Sequence, residues 1–125
     1  KCSAGSRAYI PASLWKEVNS NRWLKDISSI YADDSLTVNQ RLGRIRYLRN
    51  YNVHSQIPQL LEYLQKTDNE PVQVSLLEAL GWFRMSCRHN EISQVAQAMS
   101  QDSRYSQVVR DEALKTYNRI MNHRK

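Results

Sequence analysis

Cys87-Arg88-His89, followed by Glu91, places a thiol, an imidazole and a carboxylate within one short segment. These are the residue types from which a nucleophile with its base, or a metal site, is built. A structural zinc site needs four ligands, usually as two pairs, and no second pair accompanies this one. Neighbouring positions also seldom give the oriented hydrogen bond that thiol chemistry requires. His54, His89 and His123 fall at or beyond the expected helix ends, where histidine commonly partners the last carbonyls. No catalytic residue, metal ligand or cofactor site is assigned, and Cys87 is read as a small, partly buried apolar residue. With Cys2 the only other cysteine, there are too few for a disulfide framework. A lipid-bearing cysteine normally follows a small residue, and Lys1 precedes Cys2, so Cys2 is expected to be a free thiol.

The second chemical feature is charge. The chain carries a formal net charge of +6, which favours acidic partners. No acidic residue lies between Asp34 and Glu62, while Arg41, Arg44, Arg46 and Arg49 follow one another closely. Helical spacing at about 100° per residue puts Gln40, Arg44, Tyr47 and Tyr51 on the face opposite Val38, Leu42 and Ile45. Guanidinium groups interleaved with tyrosines suit phosphates and stacked bases, or carboxylates on a protein. The alternative reading of such a run is a solvated helix face.

The elements that must position these residues are helices. At 125 residues, 41% apolar and 24% charged, with three Gly and three Pro, the composition suits one ordered helical domain. No apolar run approaches the roughly 18 residues that span a bilayer. The segment Lys1 to Arg7 has no apolar stretch to serve as a signal peptide, and the start reads as that of a piece excised from a longer chain. Residues 1–10 are irregular. From Pro11, Leu14, Trp15, Val18, Trp23, Leu24, Ile27 and Ile30 follow helical spacing, with Asp33-Asp34-Ser35 as the next N-cap. Val38, Leu42, Ile45 and Leu48 then form a stripe. Ser55 is expected to cap a helix bearing Ile57, Leu60, Leu61 and Leu64, and Val72, Leu76, Leu80 and Phe83 to line the helix after it. Asn90 is expected to cap Ile92, Val95, Ala96 and Met99, before Val109, Ala113, Tyr117 and Ile120.

Val72 to Gly81 returns, loosened, as Val109 to Tyr117. The repeating unit is a helix pair, and repeated helix pairs build solenoids. Setting Val38, Val72 and Val109 in register gives spacings of 34 and 37 residues. The expectation is an all-α domain over 1–125 with repeats at about 11–53, 54–88 and 89–122. A compact helical bundle is the alternative.

Asp68 to Gly81 resembles a HEAT repeat, whose second helix opens with an acidic turn, then Val-Arg, then Glu-Ala-Leu-Gly. Glu78-Ala79-Leu80-Gly81 fits throughout, and Gln73 stands for the usual Arg. Val109-Arg110 with Glu112-Ala113-Leu114 carries the pattern onward. The resemblance covers about residues 23–121. It implies a short right-handed α-solenoid of about three antiparallel helix pairs and names no substrate. The HEAT-like hydroxylases that hold two irons use His-Glu pairs, and this chain has no His-Glu dipeptide. No motif assigns Trp15, Trp23 or Trp82 the concave-face role seen in HEAT-like alkyl-base DNA glycosylases. They read as packing or partner-contact residues.

In solenoids of this kind the second helices line the concave face. The register then aligns Arg44 with Glu78 and Lys115, and Leu48 with Trp82 and Arg119. Glu78 at the centre argues against a continuous polyanion groove. A mixed face of Arg44, Tyr47, Tyr51, Glu78, Trp82, Met85, Lys115 and Arg119 suits a protein or peptide partner, or another domain of a longer parent chain. The expected function is non-enzymatic binding. The alternative partner is a nucleic acid held by Arg41, Arg44, Arg46 and Arg49.

Overall fold

The computed structural model describes residues 21–48, 56–83 and 86–123. They form six helices: α1 Asn21–Ala32, α2 Val38–Arg46, α3 Ile57–Lys66, α4 Glu70–Leu80, α5 His89–Ser100 and α6 Gln107–His123. No strand occurs among the described residues. Each helix packs on its neighbour within the pairs α1/α2, α3/α4 and α5/α6. Contacts also run α1 to α3 to α5, and α2 to α4 to α6. One apolar cluster threads all of them, from Ile27 and Ile30 through Leu60, Leu64, Leu76 and Leu80 to Ile120. Fully burying such a side chain is worth about 1.5–3 kcal/mol, so the stripes hold these helices together.

The even-numbered helices begin alike. Thr37 Oγ1 accepts from Gln40 N–H at 3.2 Å, Asn69 Oδ1 from Val72 N–H at 3.1 Å, and Ser106 Oγ from Val109 N–H at 3.3 Å. Each relieves a backbone donor that the first helical turn leaves unpaired. At α2 the Gln40 side chain returns the bond to Thr37 N–H, completing a capping box. These caps correct the sequence register. Thr37 to Asn69 is 32 residues and Asn69 to Ser106 is 37, so Gln40, not Val38, is the counterpart of Val72 and Val109. Val38 and Gln40 are both exposed while Val72 and Val109 are each 1% exposed, so the caps, not burial, set the register.

Other caps differ from expectation as well. Thr37, rather than the Asp33-Asp34-Ser35 turn, caps α2. Arg88 occupies the N-cap of α5 without a side-chain cap bond, so Asn90 lies inside that helix. Gln56 starts α3 with Pro58 in its first turn, a position where the missing N–H costs nothing; Ser55 lies outside the described residues. The expected stripes of α3 and α4 are all buried, and those of α5 and α6 are buried except for half-buried Val95 and Tyr117.

The N4 side chains of α2 and α4 turn back toward the preceding turn. Arg41 donates to the carbonyls of Ile30 and Asp33 at the end of α1, and its guanidinium lies 5.7 Å from the Tyr63 ring centroid of α3. Gln73, its counterpart, is buried and donates to Thr67 O at 2.7 Å. Helix C-termini present unpaired carbonyls, and these side chains satisfy them. Between α4 and α6, Thr116 Oγ1 donates to Leu77 O at 2.6 Å in a fully buried setting.

Candidate interaction face

The Cys87 segment does not converge on a site. Cys87 is exposed and disulfide-bonded, which corrects the reading of a partly buried apolar thiol. His89 Nδ1 lies 2.9 Å from Ser86 O, and Glu91 pairs with Arg88 at 2.8 Å. Imidazole and carboxylate therefore serve the start of α5. Among the described residues no group of three or more His, Cys, Asp or Glu is placed to hold a metal ion. No described helix is long and apolar enough to cross a membrane.

The arginine run divides. Arg41 is spent on backbone carbonyls, which removes it from the candidate polyanion contacts. Arg44 takes the register position of Leu76 and Ala113, both 0% exposed, and stands near enough to Asp33 to help lower its pKa. The 32-residue cap offset sets it apart from the edge that carries Glu78 and Lys115. Arg46 takes that place: it is exposed, and it lines a groove with Leu42, Ile45, Ser75, Glu78, Ala79 and Trp82 between α2 and α4. Arg49, Tyr51 and Met85 lie outside the described residues, as do the readings made on Cys2.

Tyr47, 61% exposed at the C-cap of α2, is about 100° round the helix from Arg46. It lies outside the groove lining. Its counterparts Ala79 and Thr116 are 6% and 0% exposed, so Tyr47 marks the flank of α2 turned away from α4.

Trp82 and Arg119, aligned with one another in the sequence register, are in direct contact. The Arg119 guanidinium lies 5.1 Å from the Trp82 ring centroid, a cation–π arrangement. Gly81 makes room for it: a Cβ there would meet Arg119 Nη1 at 3.0 Å. Arg119 Nη1 is buried with no hydrogen-bond partner, so the ring face is its main compensation. Lys115 and Glu78 are exposed. The resulting edge runs Arg46, Glu78 with Trp82, then Lys115 and Arg119. The depression between α2 and α4 encloses about 40 Å³, far below the roughly 300–1,000 Å³ of small-molecule pockets. It has room for the tip of a side chain.

Two wider troughs open elsewhere, of about 480 Å³ between α3 and α5 and about 390 Å³ beside the turns before α4 and α6. Their polar groups are largely engaged within the fold: Lys66 with Glu62 at 3.0 Å, Arg104 with Asp102 at 2.7 Å, and Ser106 with Glu70 at 2.6 Å.

The turn carboxylates respond to pH. Asp33 is held below the usual carboxylate range first by the Ser35 hydroxyl and N–H, then by Arg41 and Arg44. Asp102 is lowered by the side chain and N–H of Arg104, with Arg110 adding to it. A depressed native pKa contributes stability that is fully present above the unfolded value, about 3.9 for Asp, and lost as pH falls through the native value. Melting temperatures are therefore expected to fall in acid below about pH 4, and less steeply in an Asp33→Asn/Asp102→Asn double variant. An identical acid limb in that variant would refute this assignment.

No family model matches the chain, and neither does any curated protein or solved structure.

Proposed function

We propose that this chain is a HEAT-like module, a short right-handed α-solenoid of three helix pairs, that binds a protein or peptide segment along the exposed edge of α2, α4 and α6 without catalysing a reaction. The observation that carries this reading is Trp82, 37% exposed, stacked by Arg119 and bordered by Glu78 and Arg46. Aromatic and Arg side chains dominate interface energetics. An aromatic ring stacked by a half-buried guanidinium loses less entropy when it is covered than a free one. The caps at Thr37, Asn69 and Ser106, and the contacts running α2 to α4 to α6, support the solenoid reading over a bundle. Another domain of a longer parent chain would meet the same edge.

Selection from a displayed random-peptide library tests the proposal. Enriched peptides are expected to bind the purified protein and to lose at least about tenfold in affinity on Trp82→Ala, a cost of ~1.4 kcal/mol typical of an interface anchor. Arg46→Ala is expected to weaken the same peptides. Peptides that bind Trp82→Ala undiminished would displace the site. Single-stranded RNA binding that falls steeply with salt would instead favour the polyanion reading, although Arg41 is already engaged and Glu78 interrupts the basic edge.

A further inference from the structure

Corrected by the caps, the register shows how each even helix passes contacts to the next. Leu42, Ile45 and Arg46 form the edge that α2 turns toward α4. Their counterparts on α4 are Val74, Leu77 and Glu78, and Leu77 is buried where α6 arrives, its carbonyl bonded by Thr116. On α6 the same positions are Asp111, Leu114 and Lys115. Ile45 and Leu77 are each 1% exposed, whereas Leu114 is 49% exposed. Gln107, Asp111, Leu114, Asn118 and Met121 fall on one stripe at helical spacing, with Met121 40% exposed. The edge that is covered twice within the fold is open at α6.

We propose that this edge pairs with the same edge of a second copy of the chain, α6 against α6 in antiparallel orientation, giving a two-fold dimer. The edge is self-complementary in charge, which selects this occupant. With Leu114 on the two-fold axis, helix geometry of about 1.5 Å rise per residue sets Asp111 opposite the turn of the second copy that holds Lys115 and Asn118. The same operation sets Gln107 against Met121. In the single chain Asp111 accepts from Gln107 Nε2 at 2.7 Å, a surface bond readily exchanged for one across the axis. An isologous contact uses each group twice and closes on itself. One helix edge is small against the roughly 800 Å² per partner of a stable dimer. The equilibrium is therefore a reversible, concentration-dependent one rather than an obligate assembly.

Sedimentation velocity and light scattering of the full chain, from micromolar to millimolar concentration, read the result. The mass is expected to rise from the 14.7 kDa chain toward twice that value and to stop there. Leu114→Asp, a change at a half-exposed position, is expected to hold the protein monomeric with its helical circular dichroism and melting temperature retained. Asp111→Lys alone is expected to abolish dimerisation, and Asp111→Lys/Lys115→Asp to restore it. Gln59→Asp, at an exposed position of α3, leaves the dimer intact. A wild-type chain monomeric at millimolar concentration overturns the proposal. So does a dimer that survives Leu114→Asp, growth beyond two copies, or a charge swap that fails to restore pairing while each variant remains folded.

Discussion

Leu77→Ala is expected to destabilise the fold by about 2–5 kcal/mol, while Leu114→Ala, the same change at the counterpart position, is expected to cost less than about 1 kcal/mol. Leu77 is 1% exposed, packed between α4 and its neighbours, and its carbonyl receives the buried Thr116 hydroxyl. Truncation there removes apolar contact and leaves a cavity that the flanking helices can only partly close. Leu114 is 49% exposed, so most of its side chain already meets water and little transfer energy is at stake. Urea unfolding followed by circular dichroism, at concentrations low enough to keep the chain monomeric, measures both. Equal costs at the two positions would show that the edge of α6 is covered, which would count against the register and against the open face built on it.

Arg41→Ala is expected to cost about 2–3 kcal/mol, against a change within ~0.5 kcal/mol for Arg46→Ala. The two differ because of what their guanidinium groups meet. Arg41 reaches the carbonyls of Ile30 and Asp33 and lies over Tyr63, tying α1, α2 and α3 together. Its removal strands partly buried acceptors, and a hydrogen bond to a charged group is worth about 1.5–3 kcal/mol. Arg46 is exposed at the groove rim, where it is available to a partner and contributes little to the isolated fold. Arg41→Lys separates charge from geometry. Lysine retains the cation but lacks the planar fork that spans two carbonyls, so most of the loss is expected to persist. A stable Arg41→Ala variant would return Arg41 to the set of candidate partner contacts.

The arginines also show why sequence reading partly failed. Four basic residues within one amphipathic helix look like one patch, because periodicity reports which residues share a face of their own helix. It does not report what lies against that face. Arg41 belongs to the run of possible polyanion contacts, yet its guanidinium donates to carbonyls at the end of a neighbouring helix. Arg44 was aligned with Glu78, yet it sits at a core position of the register. Val38 stands at the first position after its cap, whereas Val72 and Val109 stand at the third. An N-cap is a sharper landmark than an apolar residue, since it fixes where the helix begins. Thr37-x-x-Gln40 was legible as a capping box and would have given the 32-residue offset directly. At α4 and α6 apolar anchor and cap agree, so Glu78 aligns with Lys115 and Trp82 with Arg119 from either landmark.

By itself the sequence determined that this protein is helical, where most of its helices run and which stripes of α3 to α6 face the core, because apolar spacing and turn chemistry act over a few residues. Tertiary structure alone decided which charged residues are spent inside the fold and which meet solvent. It set Arg119 on Trp82, closed Ile45 and Leu77 under their neighbours and left Leu114 open. Those outcomes depend on the axial offset between packed helices, which is fixed by turns, caps and side-chain volumes acting together across the core.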